Sequence, residues 1–115
     1  GIDELTVATS NQVRGVGRLR EIDTIWRADD FGLMASPFSE LIGGDVTANV
    51  AIVESILAGR GPRGLVDTII LNAAVGLYIA GRVPTIRDGV APARELLVGG
   101  AVQKKIAETK EFYRG

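Results

Sequence analysis

The chain by itself reads as α+β: a β-hairpin followed by four helices, with a sheet that further strands outside these residues would complete. Three observations predict this. β-branched and aromatic residues gather in two short runs within residues 9–33, divided by Gly15-Val16-Gly17-Arg18. From Gly43 onward the apolar spacing becomes helical. Strand signals precede helix signals, with no βαβ alternation to build a parallel sheet from this chain alone. The length of 115 residues suits one domain, and 46% hydrophobic with 23% charged residues is an ordinary globular balance.

The elements follow in order. Residues 12–16 and 19–26 are read as the hairpin strands, with glycines supplying the reversal. Residues 27–38 are read as irregular, because Gly32 and Pro37 interrupt any period. Asp45 sits where a helix N-cap belongs, since its carboxylate accepts orphan backbone N–H groups. Val46, Val50, Val53 and Leu57 then mark one apolar face, and Gly59 ends that helix. Arg60-Gly61-Pro62-Arg63-Gly64 is read as a linker. Residues 65–80 are apolar nearly all round, as a buried helix is. With Asp67 and Asn72 inside, and short of the ~20 residues of a span, this is a central core helix and not a membrane segment.

Thr85 and Asp88 have capping-box spacing and open a helix through Leu97. Pro92 inside it implies either a bend or a late start. Gly99-Gly100 stops it. In the last helix Val102, Ile106 and Tyr113 share a face, with Lys104, Lys105, Glu108, Lys110 and Glu111 solvated. A two-stranded sheet is marginal by itself, so an exposed apolar face is expected where further strands would pack.

Composition removes several function classes. There is no Cys and no His, which excludes disulfides, thiolate nucleophiles, imidazole bases and the usual zinc ligands. Ser10, Ser36, Ser39 and Ser55 have no histidine to activate them. A formal net charge of -1 lacks the basic excess of a nucleic-acid binder. Trp26 and Phe31 are read as packing residues, because a base-stacking platform also needs a basic groove. No signal peptide is visible, and a cytoplasmic location is expected. The only methionine is Met34, so the chain is expected to be trimmed or excised from a longer product.

The residues that carry chemistry lie at the start. Gly1-Ile2-Asp3-Glu4 places adjacent carboxylates at a corner, and Mg²⁺ takes hard oxygen ligands, often one or two carboxylates plus substrate phosphates. Taken alone, adjacent acids are more often a solvated turn. Arg60 to Gly64 lacks the spacing of a phosphate loop and the following Lys-Ser/Thr. Asp45 is read as a cap and not a ligand. Asn49 and Asn72 are read as ties to neighbouring loop backbone, because an unbonded amide on an apolar helix is costly.

The order of motifs resembles a known family. Gly1-Ile2-Asp3-Glu4 is followed by Asp29-Asp30-Phe31-Gly32-Leu33, by Gly43-Gly44-Asp45 before Asn49, and by Gly61-Pro62-Arg63. Leu71-Asn72-Ala73-Ala74, Asp88-Gly89, Ala93-Arg94-Glu95 and Gly99-Gly100-Ala101 complete the series. Together they resemble the C-terminal third of the anthranilate phosphoribosyltransferases, over essentially the whole chain.

The resemblance implies a helical domain and a larger α/β domain with a mixed sheet. It implies transfer of phosphoribose from phosphoribosyl pyrophosphate to the amine of anthranilate in tryptophan biosynthesis, with release of pyrophosphate. It also implies a homodimeric full-length enzyme and a Mg²⁺ requirement, with the acidic Mg²⁺ pair falling on Asp3 and Glu4. The family's helical domain, Gly-rich phosphate loop and anthranilate-binding residues match nothing here. Residues 1–115 are therefore expected to be a C-terminal segment of the α/β domain, inactive alone. Two other readings are a non-catalytic split subunit that completes a partner's sheet, and a segment of a pyrimidine nucleoside phosphorylase on the same fold.

Overall fold

The computed structural model describes residues 2–115; Gly1, the first residue of the acidic motif, lies outside the described residues. Strand β1 (Asn11–Arg14) pairs antiparallel with β2 (Asp23–Trp26), Asn11 opposite Trp26 and Arg14 opposite Asp23. Four helices follow: α1 (Val46–Leu57), α2 (Arg63–Ile79), α3 (Ile86–Val98) and α4 (Ala101–Arg114). The hairpin is as expected, but its strands are shorter. The connection from Gly15 to Ile22 folds on itself, with Gly15 N–H donating to the Ile22 carbonyl at 2.7 Å and a 3-10 turn at Gly17–Leu19.

Helix α2 is the centre. Ile70, Leu71 and Ala74 are fully buried on it, each of the two larger side chains contributing about 1.5–3 kcal/mol by leaving water. Around them pack Ile56 of α1, Ile86 and Ala93 of α3, Ala28 and Phe31 of a short 3-10 helix (Ala28–Phe31), and Val7 and Leu33 from the loops. Trp26 meets the buried Phe31 edge to face at 5.4 Å, the packing role read from the sequence. Gly89 lets α3 lie close against the Ala74 backbone.

The caps are those expected. Asp45 accepts from Ala48 N–H at 2.8 Å and Thr85 accepts from Asp88 N–H at 3.1 Å. Helix α3 does not begin late. It starts directly behind Thr85 and runs through Pro92 to Val98, because a filled cap satisfies the first-turn donors and proline removes only one interior bond. Helix α2 begins at Arg63, earlier than its apolar run suggests. The Arg63 guanidinium donates to the carbonyls of Met34 at 3.1 Å and Ala35 at 2.9 Å, a tertiary tie that recruits the end of the linker into the helix.

The apolar stripe of α1 faces outward. Val46, Val50 and Val53 are exposed, and Ile56 makes the inner contact. Phe112 and Tyr113 of α4 are exposed as well. Among the described residues no helix is long and apolar enough to cross a membrane.

Candidate functional site

Asp3 and Glu4 sit on a bend and are both exposed. They line an open cleft of about 610 Å³ with Ser10 and Gln12 on its polar side and Phe38 on its rim. An apolar recess of about 370 Å³ adjoins it, walled by Phe38, Leu41, Leu65 and Ile69, and Glu4 borders both. Glu4 thus stands at the junction of the open cleft and the apolar recess, and Asp3 lines the cleft alone.

The chain directly behind the pair belongs to no sheet. Its backbone groups are satisfied one by one, five of the six by side chains. Leu5 N–H donates to Asn72 Oδ1 at 3.1 Å, and Asn72 Nδ2 donates back to the Leu5 carbonyl at 2.8 Å. Thr6 N–H donates to Asn11 Oδ1 at 2.8 Å, and Asn11 Nδ2 returns a bond to the Thr6 carbonyl at 2.9 Å. Val7 N–H donates to Thr68 Oγ1 at 3.2 Å, while the Val7 carbonyl accepts from Ser36 N–H at 3.3 Å. Each asparagine amide copies the donor–acceptor pair of a neighbouring strand. Thr6 and Val7 are consequently buried, whereas the acids before them are not.

Mg²⁺ is the group the acidic pair suggests, and the donor chemistry fits it. Two hard carboxylates face open space, with room for waters or phosphate oxygens. Among the described residues no three acidic side chains converge, so they form no all-protein cage. The remaining ligands of such an ion would come from a bound phosphate compound and water.

The other residues singled out from the sequence do different work. Asn72 ties α2 to the loop as expected, and Asn49 holds Gly44 at both backbone groups, at 2.9 and 3.0 Å. Asp45 is a cap. Arg63 is engaged by backbone carbonyls and Asp67, which agrees with a linker and not a phosphate cradle. Gly61 and Gly64 serve close packing: a Cβ there would run into Ile56 and Ser36.

Two features were not read from the sequence. Asn11 lay just outside the strand read over residues 12–16, and its burial and paired bonds to Thr6 mark it only in the structure. Asp67 looked like a tolerated charge on the core helix. It is buried and accepts from Arg94 at 2.7 Å and Arg63 at 3.4 Å, locking α2 to α3. The spacing of Arg63 and Asp67, one helical turn apart, was the available signal.

Comparison with known proteins places this arrangement. Residues 1–103 match the family model described as "Glycosyl transferase family, a/b domain". The chain belongs to this family. It is 39% identical over 100 residues to an anthranilate phosphoribosyltransferase of Deinococcus radiodurans, covering 87% of this chain and 30% of that one. It is 38% identical over 118 residues to that of Roseiflexus sp. (strain RS-1), covering 100% of this chain and 34% of the relative.

The crystal structure of anthranilate phosphoribosyltransferase (TrpD) from Thermus thermophilus superposes on this fold with a TM-score of 0.88 at 32% identity. The match covers 100% of this chain and 34% of that one. The chain therefore spans about a third of the length of the family members it matches. The family and fold expected from the motif order are those found. The hairpin and four helices correspond to part of a transferase α/β domain.

Proposed function

We propose that the chain is the C-terminal part of the α/β domain of an anthranilate phosphoribosyltransferase. In this reading it works with a helical domain and a phosphate-binding loop that these residues do not provide, in a cytoplasmic homodimer. Its own contribution is Asp3 and Glu4, which hold the Mg²⁺ that accompanies phosphoribosyl pyrophosphate. The observation that carries this is the acidic pair facing an open cleft, on a segment clamped by side chains of α2 and β1.

A divalent cation there would stabilise the negative charge that grows on pyrophosphate as the bond to the ribose C1 breaks. The carboxylates orient and neutralise, and they need not transfer protons. The amine of anthranilate takes the C1 bond that pyrophosphate leaves, and the 5-phosphate stays on the ribose. The relatives named above all carry the anthranilate name, which favours this reading over a nucleoside phosphorylase. A cleft lined by one acidic pair is a corner of an active site, so the isolated chain is expected to have no turnover.

The test is a hybrid enzyme in which this chain replaces the matching third of the Thermus thermophilus protein. Anthranilate-dependent pyrophosphate release by the folded hybrid, and none by the chain alone, is the expected outcome. A folded hybrid that is inert, or one that cleaves pyrimidine nucleosides with phosphate, would count against the proposal. Turnover by the isolated chain would overturn the statement that its site is incomplete.

A further inference from the structure

We infer that Thr68 and Asn72 of α2 are positioning residues for the acidic pair: they set where Asp3 and Glu4 stand in the cleft. The inference rests on the reading of Asp3 and Glu4 as metal ligands.

The two side chains lie one helical turn apart on the same face of α2, so they reach alternate residues of the segment that crosses it. Asn72 takes both backbone groups of Leu5, and Thr68 takes the N–H of Val7. Asn72 Nδ2 also donates to the Thr68 carbonyl at 2.9 Å, which fixes the amide on its own helix. The same helix carries Ile70, Leu71 and Ala74, all fully buried, so the clamp is mounted on the best-packed element of the molecule.

A loop normally relies on its own turns or on a neighbouring strand. Here the strand partner is replaced by side chains, and the direction of the chain at Leu5 decides where Glu4 and Asp3 point. Loss of one clamp leaves the carboxylates intact but free to swing. A metal shared with a phosphate compound needs both carboxylates held in one geometry. Residues that orient ligands in this way are typically worth about 10–100-fold in metal affinity.

The probe is Mn²⁺ with inorganic pyrophosphate, titrated onto the isotope-labelled hybrid enzyme, which supplies the phosphate-binding loop. Paramagnetic broadening of the amides at residues 3–5 reports binding, and thermal unfolding is followed in parallel. The variants are Thr68→Val, which is isosteric but lacks the acceptor, Thr68→Ser, which restores it, Asn72→Leu, and Asp3→Asn with Glu4→Gln. Thr68→Val is expected to weaken binding about tenfold and Asn72→Leu up to about a hundredfold. Thr68→Ser is expected to return to the native affinity.

A Thr68→Val hybrid that melts earlier but binds within about twofold of native, well short of the tenfold expected, while the acid-pair variant has lost binding, overturns the positioning role and leaves the metal reading standing. Native-like binding by the acid-pair variant, or no broadening in the native hybrid, overturns the metal reading and this inference with it. Should Asn72→Leu fail to fold, the Thr68→Val and Thr68→Ser pair decides alone.

Discussion

Replacing Gly89 by alanine and Gly76 by alanine is the same chemical change in the same secondary structure, yet the two should move stability in opposite directions. Both lie inside helices, where alanine is favoured over glycine by about 1 kcal/mol. At Gly76 a new methyl meets nothing within 4 Å, so most of that gain is kept. At Gly89 it would stand 3.0 Å from the Ala74 carbonyl oxygen and 3.1 Å from Ala74 Cα and Cβ.

Carbon pairs are at rest at about 3.5–4.0 Å, so α3 would have to retreat by roughly half an ångström. The obstacle is backbone, on the fully buried turn of α2. Overpacking of this kind costs about 1–3 kcal/mol, which exceeds the propensity gain. Gly89→Ala should therefore lose about 1 kcal/mol and Gly76→Ala gain roughly 0.5–1 kcal/mol, a separation near 2 kcal/mol. Urea unfolding followed by circular dichroism reads both, with an unchanged slope confirming that stability alone has moved. Equal shifts of the same sign would refute the close helix contact on which the core is built.

Other expectations follow from the same packing. Leu71→Ala should lose about 2–5 kcal/mol by thermal or urea unfolding, whereas Val50→Ala on the exposed stripe of α1 should stay within about 0.5 kcal/mol of native. Arg94→Leu leaves the buried Asp67 carboxylate with only its more distant partner Arg63 and should cost about 2 kcal/mol, moderated because both guanidiniums are half exposed. Adding Asp67→Leu to that variant should recover part of the loss, which a urea double-mutant cycle measures.

The helices were legible because local signals agreed with the fold. Asp45 and Thr85 have the side chains that caps require, and both do cap. Gly59 and Gly100 take positive φ at the ends they were read to mark. The burial of α2 followed from its missing polar face. What escaped the sequence depends on distant partners. The early start of α2 needs the carbonyls of Met34 and Ala35. The glycines of the linker were read as a connecting stretch, but two of them are there for the bulk of Ile56 and Ser36.

The outward stripe of α1 has helical periodicity either way, so periodicity could not say that Ile56 would be the buried contact. At the candidate site, the carboxylates were readable as a motif and Asn72 as a tie. The clamp as a whole was not readable, because Asn11 and Thr68 carry no pattern until the chain brings them to the same three residues.

The most direct test of the account is the paired substitution Asp3→Asn with Glu4→Gln in the active hybrid enzyme, assayed over a range of Mg²⁺ concentrations. The account predicts a fall in kcat/KM of about a hundredfold or more, partly relieved by higher Mg²⁺, with unfolding unchanged. Native kcat/KM and native Mg²⁺ dependence in that variant would contradict it.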